Sequence, residues 1–195
     1  MLTESGIAVD VAFMTRGELG ADEGLGSSPQ QRREVAAVRT KEAQAACGIL
    51  GVRSVQFLDG ADTRLAEQPQ MAVAIAQLFR QESYERVFCP WPRDAHEDHV
   101  ATFQLAQRAA RDQSSPPQFW LYEVWKPLAA NAFVPIDRTM EAKRQAIEQY
   151  QSQLSQLNYR EGFLGLAAYR SLFCPSSKYA EAFLVCDRAE LLQIV

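Results

Sequence analysis

Apolar and polar positions alternate along this chain with two periods. Ile7-Ala-Val-Asp-Val-Ala-Phe-Met14, Ser54-Val-Gln-Phe-Leu58 and Arg86-Val-Phe-Cys89 are short, β-rich apolar runs and predict strands. Between them the apolar spacing lengthens to the helical period. Ser28-Pro29 predicts a helix start, with serine as cap and proline in the first turn. That helix runs to about Leu50 with Val35, Val38, Ala45, Ala46 and Ile49 as its apolar stripe, and Gly51 stops it. A second helix is predicted from about Pro69 to Ser83, with Met71, Ile75, Leu78 and Phe79 on one face. A third is predicted from about Asp98 to Asp112, with Phe103 and Leu105 among its apolar positions. Ser114-Ser-Pro-Pro117 is a turn, Gln118–Trp125 an aromatic strand and Ala132–Ile136 a further strand. Asp137 is placed to cap a helix over Arg138–Leu157, with Met140, Ile147 and Leu154 inward; Phe163–Phe173 reads as helical and Tyr179–Val185 as a last strand.

Strand and helix in regular succession predict an α/β fold, a Rossmann-like parallel sheet with helices on both faces. Right-handed crossovers then bring the loops after residues 14, 58 and 89 to the carboxyl edge of the sheet. Three polar stretches occupy those loops. The first is glycine-rich, Thr15-Arg-Gly-Glu-Leu-Gly-Ala-Asp-Glu-Gly-Leu-Gly26, without the spacing of a phosphate-binding loop. The second carries Asp59 and Asp62. The third, Pro90-Trp-Pro-Arg-Asp-Ala-His-Glu-Asp-His99, holds both histidines of the chain. Arg16, Asp59, Asp62, Asp94, His96 and His99 are therefore expected to line one crevice. Two readings of residues 90–99 stand side by side: a reactive site, or a plain helix start with Asp98 as N-cap.

Composition narrows the field. The 195 residues suit one domain, with 47% hydrophobic and 23% charged residues. A net charge of −4 argues against a general nucleic-acid or anionic-membrane surface. No apolar run approaches the roughly 18–20 residues of a membrane span, and the N-terminus lacks the pattern of a signal peptide. Cys47, Cys89, Cys174 and Cys186 form no Cys-x-x-Cys pair, and free thiols in a reducing cytoplasm are expected.

A His-x-Asp-His arrangement suits a hydrolytic metal site, since neutral imidazole is a common zinc ligand and a nearby carboxylate orients it. A catalytic zinc takes about three protein ligands. With two histidines in the chain, further ligands would be carboxylates or cysteines; Asp94, Asp59 and Asp62 are the local candidates, and spacing selects none of them. No Gly-x-Ser-x-Gly elbow supports a serine hydrolase.

The motif order resembles the LmbE-like / PIG-L family of zinc-dependent N-deacetylases. The resemblance rests on Met14-Thr-Arg-Gly-Glu-Leu-Gly20, Arg39-x-x-Glu42 before Leu50-Gly-Val52, and Phe57-Leu-Asp-Gly60. It continues through Asp94-x-His96-x-Asp98-His99, Tyr150-x-Ser152-Gln153 and Tyr179-Ala-Glu-Ala-Phe183. The 15–20 loop is most similar to the branch acting on low-molecular-weight thiol precursors, the bacillithiol type. The resemblance implies hydrolysis of the N-acetyl group of an N-acetylglucosamine conjugate, a small-molecule substrate, with one zinc ion. It implies His99 as zinc ligand, His96 as the group that stabilises the oxyanion and protonates the departing amine, and Asp98 as its charge partner. Arg39, Arg16 and Asp62 are implied on the substrate side, with Arg39 also readable as an exposed helix arginine. The family's Pro-His-Pro-Asp-Asp-Glu strand end, source of two zinc ligands and the general base, has no counterpart in these residues. A single, N-terminally truncated domain is therefore expected, with a gap between the strands at 7–14 and 86–89 and with zinc binding and activity impaired. The alternative is a non-catalytic remnant or sugar-binding domain of the same family.

Overall fold

The computed structural model describes residues 1–20, 28–111 and 113–194. Residues 21–26 of the glycine-rich loop and Asp112 lie outside the described residues. The chain folds as two compact units, Met1–Asp62 with Val134–Glu181, and Thr63–Phe133 with Ala182–Val195.

In the first unit, β1 (Asp10–Phe13) and β2 (Ser54–Phe57) form a two-stranded parallel sheet, Asp10 opposite Ser54 and Phe13 opposite Phe57. The Phe13 and Phe57 rings stack at 5.1 Å. Between these strands runs α1 (Pro29–Ile49). Its start is a reciprocal capping box: Ser28 Oγ accepts the Gln31 N–H at 3.2 Å, and Gln31 Oε1 accepts the Ser28 N–H at 3.1 Å. Its end is a Schellman turn, with Gly51 at φ +68°, its N–H on Gly48 O and the Val52 N–H on Cys47 O.

The expected stripe of α1 is buried only in part, at Ala46. Val38 and Ile49 are exposed, while Ala43, Ala46 and Cys47 are buried. Small residues let α1 lie close against α4 (Met140–Ile147) and α5 (Gln151–Leu154). The helix expected over 138–157 is broken between these two pieces. Glu42 of α1 explains the break: its carboxylate accepts the Ser152 N–H at 2.8 Å and the Ser152 hydroxyl at 2.7 Å, capping a new helical start. Asp137 does not cap α4; it accepts the Lys178 N–H at 2.8 Å. α6 (Tyr159–Arg170) follows, and Ile136, Met140 and Ala167 form the core it shares with α4.

In the second unit, β3 (Arg86–Pro90) pairs in parallel with β4 (Gln118–Tyr122), and β4 pairs antiparallel with β6 (Ala180–Cys186). With β5 (Ala132–Pro135) the sheet order is β3-β4-β6-β5, and β5 and β6 are the strands along which the chain passes between units. The sheet is thus mixed, with α/β crossovers supplying its parallel part. Among the described residues β1 pairs only with β2, and β3 only with β4. α2 (Met71–Gln81) packs on α3 (Glu97–Arg111), whose Phe103, Ala106 and Ala110 meet Cys89, Phe119, Leu121 and Cys186 in the core. A last helix, α7 (Arg188–Gln193), was not expected; Asp187 and Glu190 form its capping box. Buried Gln107 holds it through Nε2 donation to Leu191 O at 2.6 Å and Ile194 O at 3.1 Å. No helix among the described residues is long and apolar enough to cross a membrane.

Candidate active site

The second unit places the histidines. β3 ends at Pro90, and α3 begins at Glu97, one residue before the expected start. His96 therefore occupies the cap position: its Nδ1 accepts the Asp98 N–H at 3.2 Å, and its carbonyl accepts the Val100 N–H at 3.2 Å. An accepting Nδ1 leaves Nε2 to carry the proton of the neutral ring. The His96 and His99 rings stack with centroids 4.8 Å apart.

Asp94 organises the segment. Its side chain is wholly buried, and four N–H groups converge on it. Oδ1 accepts the His96 N–H at 3.1 Å and the His99 Nδ1–H at 2.9 Å. Oδ2 accepts the Trp125 N–H at 2.9 Å and the Lys126 N–H at 3.4 Å. Burial opposes ionisation, but the Trp125 and His96 amides and the His99 ring outweigh it and hold the carboxyl below the usual range. His99 is pushed down as well, by burial, which Asp94 offsets only in part. The ring is thus a neutral imidazole with Nδ1–H on a carboxylate and the Nε2 lone pair turned outward.

Asp98 is not the N-cap, and it meets His96 through its backbone N–H rather than through its carboxylate. Its carboxylate accepts the Thr63 N–H at 2.7 Å and the Leu65 N–H at 3.2 Å, tying the start of α3 to the chain entering the unit. Asp94, with every lone-pair direction engaged, is an orienting carboxylate rather than a ligand candidate. Its sequence signal was faint: an acid two residues before a histidine at a strand end.

The first unit places the remaining candidates around the loop Thr15–Gly20. Asp62, buried, accepts the Leu19 N–H at 2.8 Å and the Thr15 hydroxyl at 3.2 Å, so both oxygens serve the loop. Arg39 is not an exposed helix arginine; its Nη2 donates to the Gly20 carbonyl, and the loop closes over it. Gly17, at φ +67°, is required there, since a Cβ would lie 2.5 Å from Arg39 Nη1. Arg16 donates from Nε to Asp59 at 2.5 Å and from Nη1 to Thr40 Oγ1 at 2.9 Å, with its guanidinium 4.6 Å above the Phe57 ring. Arg16, Asp59 and Asp62 thus share one loop cluster, while Asp94, His96, Asp98 and His99 share another.

The donor set does not fit a complete catalytic zinc site. Within the histidine cluster His99 Nε2 is the nitrogen set up as a ligand, and a catalytic zinc takes three protein ligands. Among the described residues no three His, Cys, Asp or Glu side chains converge.

Comparison with known proteins supplies the chemical context. The family model for GlcNAc-PI de-N-acetylases, PIG-L, matches residues 1–110. The diacetylchitobiose deacetylase of Thermococcus kodakarensis is 30% identical over 171 residues, 78% of this chain and 61% of that enzyme. The chain thus spans about three fifths of the curated relative it matches. The conserved protein TT1542 of Thermus thermophilus superposes with a TM-score of 0.77 at 26% identity, over 94% of this chain and 83% of the other. The N,N′-diacetylchitobiose deacetylase of Pyrococcus horikoshii, solved with an inhibitor, superposes with a TM-score of 0.80 over 98% of this chain and 76% of its own. At 24% identity that last likeness shows the shared fold.

Proposed function

Because the chain belongs to the PIG-L family of GlcNAc-PI de-N-acetylases, matched over residues 1–110, we propose that it acts on the N-acetyl amide of an N-acetylglucosamine-type conjugate. The observation that carries the reading is the pair of stacked imidazoles with opposite tautomers. His96 presents Nε2–H, a donor for a carbonyl oxygen as negative charge develops on it. His99 presents an Nε2 lone pair, its ring locked by Asp94. Asp98 serves this chemistry as a positioning residue, since it anchors the turn that carries both rings. Zinc dependence belongs to the proposal through family resemblance, and so does impaired turnover with the donor set described. A reducing, cytoplasmic setting is proposed on the same footing; the four cysteines are free thiols.

A second reading, a sugar-binding domain without turnover, is favoured by one specific observation: no three ligating side chains converge among the described residues. The two are separated by incubating the purified chain with N,N′-diacetylchitobiose, with and without added zinc, and measuring acetate. Acetate matched by new primary amine, and lost in His96→Ala and His99→Ala, supports the deacetylase. Saturable sugar binding without acetate under either condition supports the binding domain. Neither binding nor acetate rejects both.

A further inference from the structure

One face of α1 faces solvent. Glu34, Ala37, Val38, Lys41 and Ala45 are exposed, and Val38 keeps 47% of its surface accessible. At 3.6 residues per turn these positions form one seam, turned away from the buried Ala43, Ala46 and Cys47. We propose that this seam is a contact between two copies of the chain, α1 packing antiparallel on α1 of a second copy about a two-fold axis between Ala37 and Val38. The inference is independent of the chemistry at the histidines.

The charge pattern selects both the partner and its direction. Glu34 and Lys41 lie about two turns apart on the same face, roughly 10 Å along the helix, too far to pair with each other. Gln30 donates to Glu34 Oε1 at 3.0 Å and holds the carboxylate in the seam. Lys41 has no hydrogen bond or ion pair among the described residues. A second α1 laid parallel in register would set Glu34 on Glu34 and Lys41 on Lys41. Laid antiparallel, with Ala37 facing Val38, it sets Glu34 of each copy against Lys41 of the other. Two ion pairs then form by symmetry in a self-complementary contact, and Gln30 faces Ala45 in the same register. The apolar Ala37 and Val38 fall on the axis between the pairs. Alanine at 37 lets the helices approach to about 8 Å, the short end of helix packing. An exposed valine alone is ordinary; a valine bracketed by opposite charges on one helical face is complementary to itself. A single helix pair buries less than the ~1,200 Å² of a standard interface, so the dimer is weak, with a dissociation constant on the order of 10–100 µM.

The test is sedimentation velocity of the full chain from about 1 to 500 µM at ~50 mM salt. Wild type should shift from monomer to dimer across that range, and ~0.5 M salt should weaken association severalfold. Glu34→Lys and Lys41→Glu should each weaken it about tenfold or more, because attraction becomes repulsion at both symmetric contacts. Mixing the two single variants should restore association, since each supplies the charges the other lacks. The double variant Glu34→Lys/Lys41→Glu should dimerise to within about threefold of wild type. Val38→Arg, at the axis, should abolish the dimer. Circular dichroism verifies helix content, and rescue on mixing is a result that misfolded variants would not give. Three results overturn the proposal: a monomer at every concentration, single variants that dimerise as wild type does, and folded single variants that stay monomeric when mixed.

Discussion

Replacing Asp94 by asparagine tests the account of the histidine segment most sharply. The carboxylate is buried and accepts from four N–H groups, two on each oxygen. Asparagine keeps one acceptor oxygen and turns an NH₂ toward two donors on the other side. Hydrogen bonds to a charged group contribute roughly 1.5–3 kcal/mol each, and a buried donor left unpaired costs about 1–3 kcal/mol. The Lys126 contact is long at 3.4 Å and adds little. A destabilisation of about 2–4 kcal/mol is therefore expected, read by urea unfolding with fluorescence from Trp91, Trp120 and Trp125. The effect has a defined pH window. Asp94 is held below its ordinary range in the folded state, so its contribution is full above the unfolded value near pH ~3.9 and fades as the pH falls through the folded value. The gap between wild type and Asp94→Asn should accordingly narrow below about pH 4. Nitrogen NMR of the imidazoles provides a second readout, because His99 should lose its preference for Nδ1–H. A loss under about 0.5 kcal/mol with the His99 tautomer unchanged would refute the reasoning.

Three further outcomes are expected. His96→Ala should lower acetate release by about 10²–10³-fold with little change in sugar affinity, the loss typical of one oxyanion donor; an unchanged rate would remove His96 from the chemistry. Gly17→Ala should cost about 1–2 kcal/mol in thermal unfolding, from a left-handed φ and the displaced Arg39 guanidinium; a neutral result would show that the loop does not close over Arg39. The four thiols are all buried, and burial pushes Cys47 and Cys89 up and Cys186 to about 11. Ellman's reagent at pH 8 should therefore titrate them slowly in the native protein and promptly in guanidinium; rapid native labelling of Cys89 would contradict its place in the core.

Much of this was legible in the residues because the signals are local. Ser28-Pro29 with Gln31 announces a helix start that needs nothing from elsewhere, and Gly51 announces its end. The strands at Ser54 and Arg86 stand out as apolar runs between turn residues, and the family is carried by motifs in a fixed order, now matched over residues 1–110. The first strand is shorter than its apolar run, since Ile7–Val9 precede β1 even though the Val9 carbonyl accepts the Arg53 N–H. What escaped depends on partners far along the chain. The break between α4 and α5 is made by Glu42, more than a hundred residues earlier. Asp94 is defined by amides at Trp125 and Lys126, which also end β4 at Tyr122 and not at Trp125. Asp98 carries a legible acid, but its acceptance from Thr63 and Leu65 is a tertiary fact. The buried face of α1 departs from the apolar stripe at Val38 and Ile49, because close packing selects the alanines beside them.

The division of the chain also bears on its biosynthesis. The first unit is written in two pieces, with Thr63–Phe133 between them, and the second unit closes only with Ala182–Val195. A ribosome adding ~5–20 residues per second separates the two pieces of the first unit by several seconds. During that interval α1 has emerged without α4 or α5, and Glu42 waits for Ser152. Each unit stays incomplete until its later piece has been made, Val134–Glu181 for the first and Ala182–Val195 for the second.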